Sequence, residues 1–274
     1  MQYYLFPKLF QHLSLGELMS LCKKLDIDGP TALIREGYWI ERETLKTALP
    51  KYVKAAQADG LRVTYAETPF SLSEIPSLGH ELELFRENGI TDFRVDFISK
   101  RCAGAYRDLP GYLRPLIEKA AETAGKAGVR MIIQLHGHCY PHNATAAYPL
   151  VCGLDPAAVG IKIDPGNNFA QEGYELLDYQ VELLGEYIAA VGAKDALVAR
   201  SGDPQSSSKG WVRAFSPAYE GMTDYPLLYR ELKKIGFKGP AILMPFYHDE
   251  NYDRLCECLK QEIAYFRWVE RQTS

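Results

Sequence analysis

Val129 to Asn143 reads VRMIIQLHGHCYPHN, an apolar run that ends in a burst of side chains able to do chemistry. While the chain stays extended, Gln134, His136 and His138 alternate onto one face. Three of the six histidines fall between His136 and His142. Further along, residues 160–164 form a second buried-looking run that leads into Asp164-Pro165-Gly166-Asn167-Asn168. Two apolar strands with polar groups clustered at their ends predict a site at one rim of a parallel barrel.

The rest of the chain repeats this pattern. Strands are expected at residues 3–6, 29–34, 62–67, 92–97, 130–136, 160–164, 196–200 and 241–246, with amphipathic helices between them, such as Leu15-x-x-Leu18-Met19-x-x-Cys22. Ser14 and Glu17 have capping-box spacing at the first helix. Gly60, Gly89 and Gly128 fall where helices should give way to strands. Parallel strands need crossover helices, so eight such units predict a (β/α)8 TIM barrel over residues 1–274 as a single domain. The alternative, a doubly wound open sheet, lacks its Gly-x-Gly-x-x-Gly turn. Ser206-Ser207-Ser208-Lys209-Gly210 reads as an insertion after strand seven.

Composition narrows the partners. A net charge of −4 and no long basic run give no footprint for nucleic acid. No stretch approaches the ~18 apolar residues of a membrane span, and MQYYLFPKLF lacks the pattern of a secretory signal. Six scattered cysteines suggest reduced thiols in a cytoplasmic protein, and Cys256-x-Cys258 on a helix is a poor zinc pair. Homo-oligomerisation is compatible with the sequence and not specified by it.

In a TIM barrel the chemistry sits at the C-terminal strand ends. Here those ends offer Arg35, Glu67, Arg94, Asp96, Gln134, His136, Asp164, Arg200, Tyr247 and His248. On strand four the alternation sends Arg94 and Asp96 inward and Phe93, Val95 and Phe97 toward the helices. On strand three either Glu67 or its neighbours Thr64 and Ala66 face inward. Charges inside a barrel are costly unless paired or ligand-facing. Arg35, Arg94 and Arg200, if they converge, suit an anionic ligand.

These pieces, in order, resemble the xylose isomerase-like TIM barrels, the sugar phosphate isomerase/epimerase superfamily. The resemblance rests on residues 15–28 leading into Ala32-Leu33-Ile34-Arg35-Glu36-Gly37, on Gly60-Leu61-Arg62-Val63, and on Gln134-Leu135-His136-Gly137. It continues through Asp164-Pro165-Gly166-Asn167 and Tyr219-Glu220-Gly221-Met222-Thr223-Asp224-Tyr225-Pro226 to Gly236-Phe237-Lys238-Gly239-Pro240. It implies a divalent metal held by two glutamates, an aspartate and a histidine at strand ends. The chain departs from that pattern with Gln134 on strand five, Met244 on strand eight and Val198 in place of the histidine on strand seven. Arg200-Ser201 stands where Lys-Asp is common, Asn167 replaces a histidine, and Asp164 is kept. Gln134 and Met244 are poor ligands for a hard cation. No cofactor is therefore assigned; a metal, if bound, would fall to His136, His138 and Asp164.

The reading is a sugar, sugar-acid or sugar-phosphate isomerase or epimerase working by proton transfer on a small, hydroxylated, anionic substrate. His136, Glu67 and Asp164 are the expected catalytic residues. Arg35, Arg94, Arg200, Gln134, Asn167 and His248 are the expected substrate contacts. A lyase or hydrolase on the same rim, or a non-catalytic carbohydrate-binding or regulatory barrel, are the alternatives.

Overall fold

A computed structural model of the 274-residue chain describes residues 1–102, 104–171, 174–247 and 251–273. The strands are β1 Gln2–Leu5, β2 Gly29–Pro30, β3 Ala32–Leu33, β4 Tyr65–Glu67, β5 Asp92–Arg94, β6 Arg130–Gln134, β7 Val159–Ile163, β8 Ile188–Ala193, β9 Asp195–Arg200, β10 Trp211–Ser216 and β11 Pro240–Leu243. The helices are α1 Leu15–Lys24, α2 Leu45–Ala58, α3 Gly79–Glu87, α4 Leu109–Ala127, α5 Ala144–Val151, α6 Pro165–Ala170, α7 Leu177–Leu184, α8 Tyr225–Lys234 and α9 Tyr252–Gln272.

Nine strands hydrogen-bond in the order β2-β1-β11-β8-β7-β6-β5-β4-β3. The two ends of that order, β2 and β3, are halves of one barrel strand interrupted at Thr31, whose N–H still donates to Leu5 O at 2.8 Å. The ring therefore closes with eight strands, all paired in parallel. The helices bury their apolar stripes against the outside of the ring, while Tyr4, Tyr65, Ile132 and Ile242 fill its interior. The local signals act as expected: Ser14 and Glu17 form the capping box, and Gly60, Gly89 and Gly128 adopt positive φ. All six cysteines are free. Among the described residues no helix is long and apolar enough to cross a membrane.

The expected seventh strand is a correction. Residues 196–200 do not belong to the barrel; they lie in β9, which pairs antiparallel with β10 as a separate hairpin. The loop-like Ser206–Gly210 stretch lies between those two hairpin strands. The true seventh strand is β8, IAAVGA, whose six residues are all buried. Helix α7 stops at Leu184 because Gly185 takes φ +50. β8 then packs so closely on β7 that a Cβ on Gly160 would stand 2.5 Å from Ala189 Cβ. Small residues are what that spacing requires.

Candidate functional site

A cavity of about 520 Å³ opens at the C-terminal rim of the barrel. Its wall carries Lys8, Arg35, Arg94 and Lys194 against the acidic Glu67 and Asp96, so positive charge prevails among the lining residues. Phe6, Phe97, Phe215, Phe246 and Met244 supply the apolar surface.

Glu67 faces inward, which settles the ambiguity of strand three. One of its oxygens accepts from Lys162 Nζ at 2.8 Å and the other is bound by Arg94 Nε. Burial would raise the Glu67 pKa, but the two cations hold it below its ordinary value. Lys162 is itself fully buried, and burial lowers its pKa against the pull of Glu67. With both oxygens committed to cations, Glu67 is a weak proton acceptor, contrary to the expected role. It instead fixes Arg94, whose guanidinium carbon lies 4.7 Å from the centre of the Phe97 ring. Phe97 also departs from expectation. β5 ends at Arg94, so the alternation lapses, and Phe97 lies against His136 with ring centroids 4.4 Å apart.

A second polar cluster surrounds Asp164, the N-cap of the short helix α6. Its Oδ1 accepts the Asn167 N–H at 3.0 Å and its Oδ2 accepts from Gln134 Nε2 at 2.6 Å. Lys194 Nζ lies 3.4 Å from the same Oδ2 and donates to Asn167 Oδ1 at 2.8 Å. The ammonium sits 4.4 Å from the Phe215 ring centre and 5.1 Å from that of Phe246, a cation–π enclosure. Burial lowers the Lys194 pKa, opposed by Asp164. Gln134 Oε1 is buried without a hydrogen-bond partner among the described atoms, an arrangement that costs free energy unless a ligand supplies a donor.

His136 lines the cavity, and burial lowers its pKa to about 4. Gln171 Oε1 accepts the Gly137 N–H at 2.9 Å, which orients the amide so that its Nε2 donates to His136 Nε2 at 3.1 Å. His136 Nδ1 in turn faces the His138 N–H at 3.4 Å, so both ring nitrogens meet a donor.

The structure brings Arg35, Glu67, Arg94, Gln134 and His136 to the cavity wall, with Asp164 and Asn167 joined to it through Gln134 and Lys194. Arg200 is not among them; it ends β9 in the exposed outer part of the hairpin. The three arginines therefore do not converge. His248 lies outside the described residues. Lys162 and Lys194 escaped the sequence reading, although a lysine two residues before Asp164 in an otherwise apolar strand marks the same inward face.

Moving strand seven also moves its end. Lys194-Asp195 is the Lys-Asp pair, and Gly192, not Val198, stands where a histidine ligand was expected. The four ligand positions implied by the resemblance are then Gln134, Asp164, Gly192 and Met244. They converge: a Cβ on Gly192 would lie 2.9 Å from Asp164 Oδ2 and 3.4 Å from Met244 Sδ. As donors they do not fit a hard divalent ion, being one carboxylate, an amide that donates to it, a thioether and a glycine. Nor do His136, His138 and Asp164 form a site. Among the described residues no three His, Cys, Asp or Glu side chains are grouped to hold a metal.

Comparison with known proteins agrees with the architecture. Residues 101–262 match the family described as xylose isomerase-like TIM barrel. No curated protein sequence matches the chain. Among solved structures, a xylose isomerase domain protein from Planctomyces limnophilus superposes with a TM-score of 0.69 at 14% identity, over 99% of this chain and 96% of that one. The probable 3-DHS dehydratase involved in petrobactin synthesis from Bacillus anthracis gives 0.69 at 15%, over 97% and 99% of the two chains. The 3-keto-D-glucoside 4-epimerase from E. coli gives 0.66 at 14%, over 97% and 99%. At these identities the likeness is one of fold.

Proposed function

The chain belongs to the xylose isomerase-like TIM barrel family, and from that premise we propose that its cavity binds a small, anionic, hydroxylated carbonyl compound and moves a proton between adjacent carbons. Sugar acids and sugar phosphates are the substrate class, and isomerisation or epimerisation is the reaction. The observation that carries this reading is the excess of cations around proton-handling groups in one cavity.

In this reading Arg35 and Arg94 hold the substrate's anionic group. His136, neutral above about pH 4, lies at the wall where its imidazole can turn an N–H toward the oxyanion that develops as a proton leaves carbon. Since Glu67 is committed to its two cations, Asp96 is the carboxylate on the wall better suited to accept that proton. Asp164 and Asn167 orient Lys194 and Gln134. A lyase on the same rim would begin with the same proton abstraction and differ in the bond broken next.

The test is a thermal-shift screen of sugar acids and sugar phosphates, followed by NMR of each stabilising ligand in deuterated buffer. Deuterium incorporation beside the carbonyl, or appearance of an isomer, is the expected result. Asp96→Asn should slow it by roughly a hundredfold or more while binding persists. Arg35→Ala should weaken binding of the same ligand roughly tenfold to a hundredfold, and Arg200→Ala should leave it unchanged. Binding with neither exchange nor product would mean a non-catalytic barrel.

A further inference from the structure

We propose that the Lys194 ammonium stands in for the divalent cation at the centre of the strand-end cluster, so that the substrate's carbonyl is held by an N–H donor and not by a metal, while the unpartnered Gln134 Oε1 accepts from a substrate hydroxyl. This rests on the preceding reading of the cavity as a substrate site. The four converging positions keep one carboxylate, Asp164, and its Oδ2 is already faced by Gln134 Nε2 at 2.6 Å and Lys194 Nζ at 3.4 Å. A metal seated there would have to displace both donors, and Gln134, Gly192 and Met244 supply no anionic oxygen to hold it in their stead. The surroundings are also shaped for the lysine. A Cβ on Gly166 would come within 2.7 Å of Lys194 Cγ, so that glycine leaves the channel through which the side chain runs. Phe215 and Phe246 flank the ammonium, and Asn167 accepts one of its protons. Lys194 lines the cavity directly, whereas Asp164 lies behind it, which is the arrangement of an electrophile backed by its counter-ion.

The test titrates Mn²⁺ alone into the full-length protein by calorimetry, with circular dichroism to verify folding. Wild type is expected to show no binding tighter than about 1 mM, whereas Lys194→Met combined with Gln134→Glu, which removes the ammonium and adds a carboxylate beside Asp164, should gain Mn²⁺ affinity by more than about tenfold. Gln134→Glu with Lys194 retained should gain less, and this variant keeps the comparison interpretable if the double variant folds poorly. Stoichiometric micromolar Mn²⁺ binding by wild type, lost in Asp164→Asn, would overturn the proposal. So would a folded double variant no better at binding Mn²⁺ than wild type. Neither outcome depends on finding a substrate, so failure of the sugar-ligand screen and failure of this inference are separately visible.

Discussion

Glu67→Ala is expected to destabilise the protein by roughly 3–5 kcal/mol, which for a chain of this size lowers the melting temperature by about ten degrees. Glu67 is 1% exposed and lies between two cations, Lys162 and Arg94, which are themselves buried. Removing the carboxylate leaves two like charges in a low-dielectric interior with no counter-ion. Lys162 has no route to solvent at 0% exposure and would have to give up its proton. Glu67→Gln should cost less, because the amide retains one acceptor, but it still removes the neutralising charge. Lys162→Met alone should be milder than Glu67→Ala, since it leaves Glu67 its Arg94 partner. Urea unfolding of the three variants checks that order. A loss below about 1 kcal/mol in Glu67→Ala would show that the two cations do not depend on this carboxylate for their burial.

The second large effect concerns pH. Glu262 on α9 is fully buried, accepts the Ala218 N–H at 2.8 Å and the Tyr247 hydroxyl at 2.7 Å, and has its pKa raised to about 8, chiefly by burial. Asp195 adds to that rise and is itself lifted to about 6 by burial. A carboxyl that keeps its proton in the fold but releases it near 4.5 in the open chain favours folding most at low pH. That contribution declines as pH rises from 4.5 and is gone above about 8. Wild type should therefore lose stability across this window, by an amount on the order of a few kcal/mol. Glu262→Gln can still accept from Ala218 and can turn its amide toward Tyr247. Its melting temperature should match wild type near pH 5 and exceed it at pH 8.5. A difference between the two proteins that did not change with pH would dismiss this account.

The elements that were legible in the sequence are those whose signal is local. Ser14 with Glu17, the glycines ending helices, and the apolar run into Gln134 each carry their instruction within a few residues. Strand seven was not legible because IAAVGA has small or apolar residues on both faces and no polar group to alternate, although Gly185 marks the end of the helix before it. Residues 196–200 do have the look of a strand, and they form one, but in a hairpin whose partner only the tertiary structure identifies. The site divided along the same line. Glu67, Arg94, Gln134, His136 and Asp164 were visible as polar groups at strand ends. What each does was not visible, because it depends on partners from other strands. Glu67 looked like a proton acceptor until Lys162, 95 residues away in sequence, took one of its oxygens. Lys194 was hidden by the misplaced strand that should have pointed to it.

Asp195 follows Lys194 directly, and its carboxylate gathers the N–H groups of Ala196, Met222 and Thr223 and the Thr223 hydroxyl. The Tyr225 hydroxyl also grips the Lys194 carbonyl at 2.7 Å. The hairpin is thus riveted at its root, where departing and returning chain meet, and it reaches outward from that fixture. Beside that root Phe215 of β10 lies 4.4 Å from the Lys194 ammonium, so the lysine is held from both strands of the hairpin. The barrel and the hairpin thus meet at one seam, where Phe215 is the hairpin residue that reaches the cavity wall.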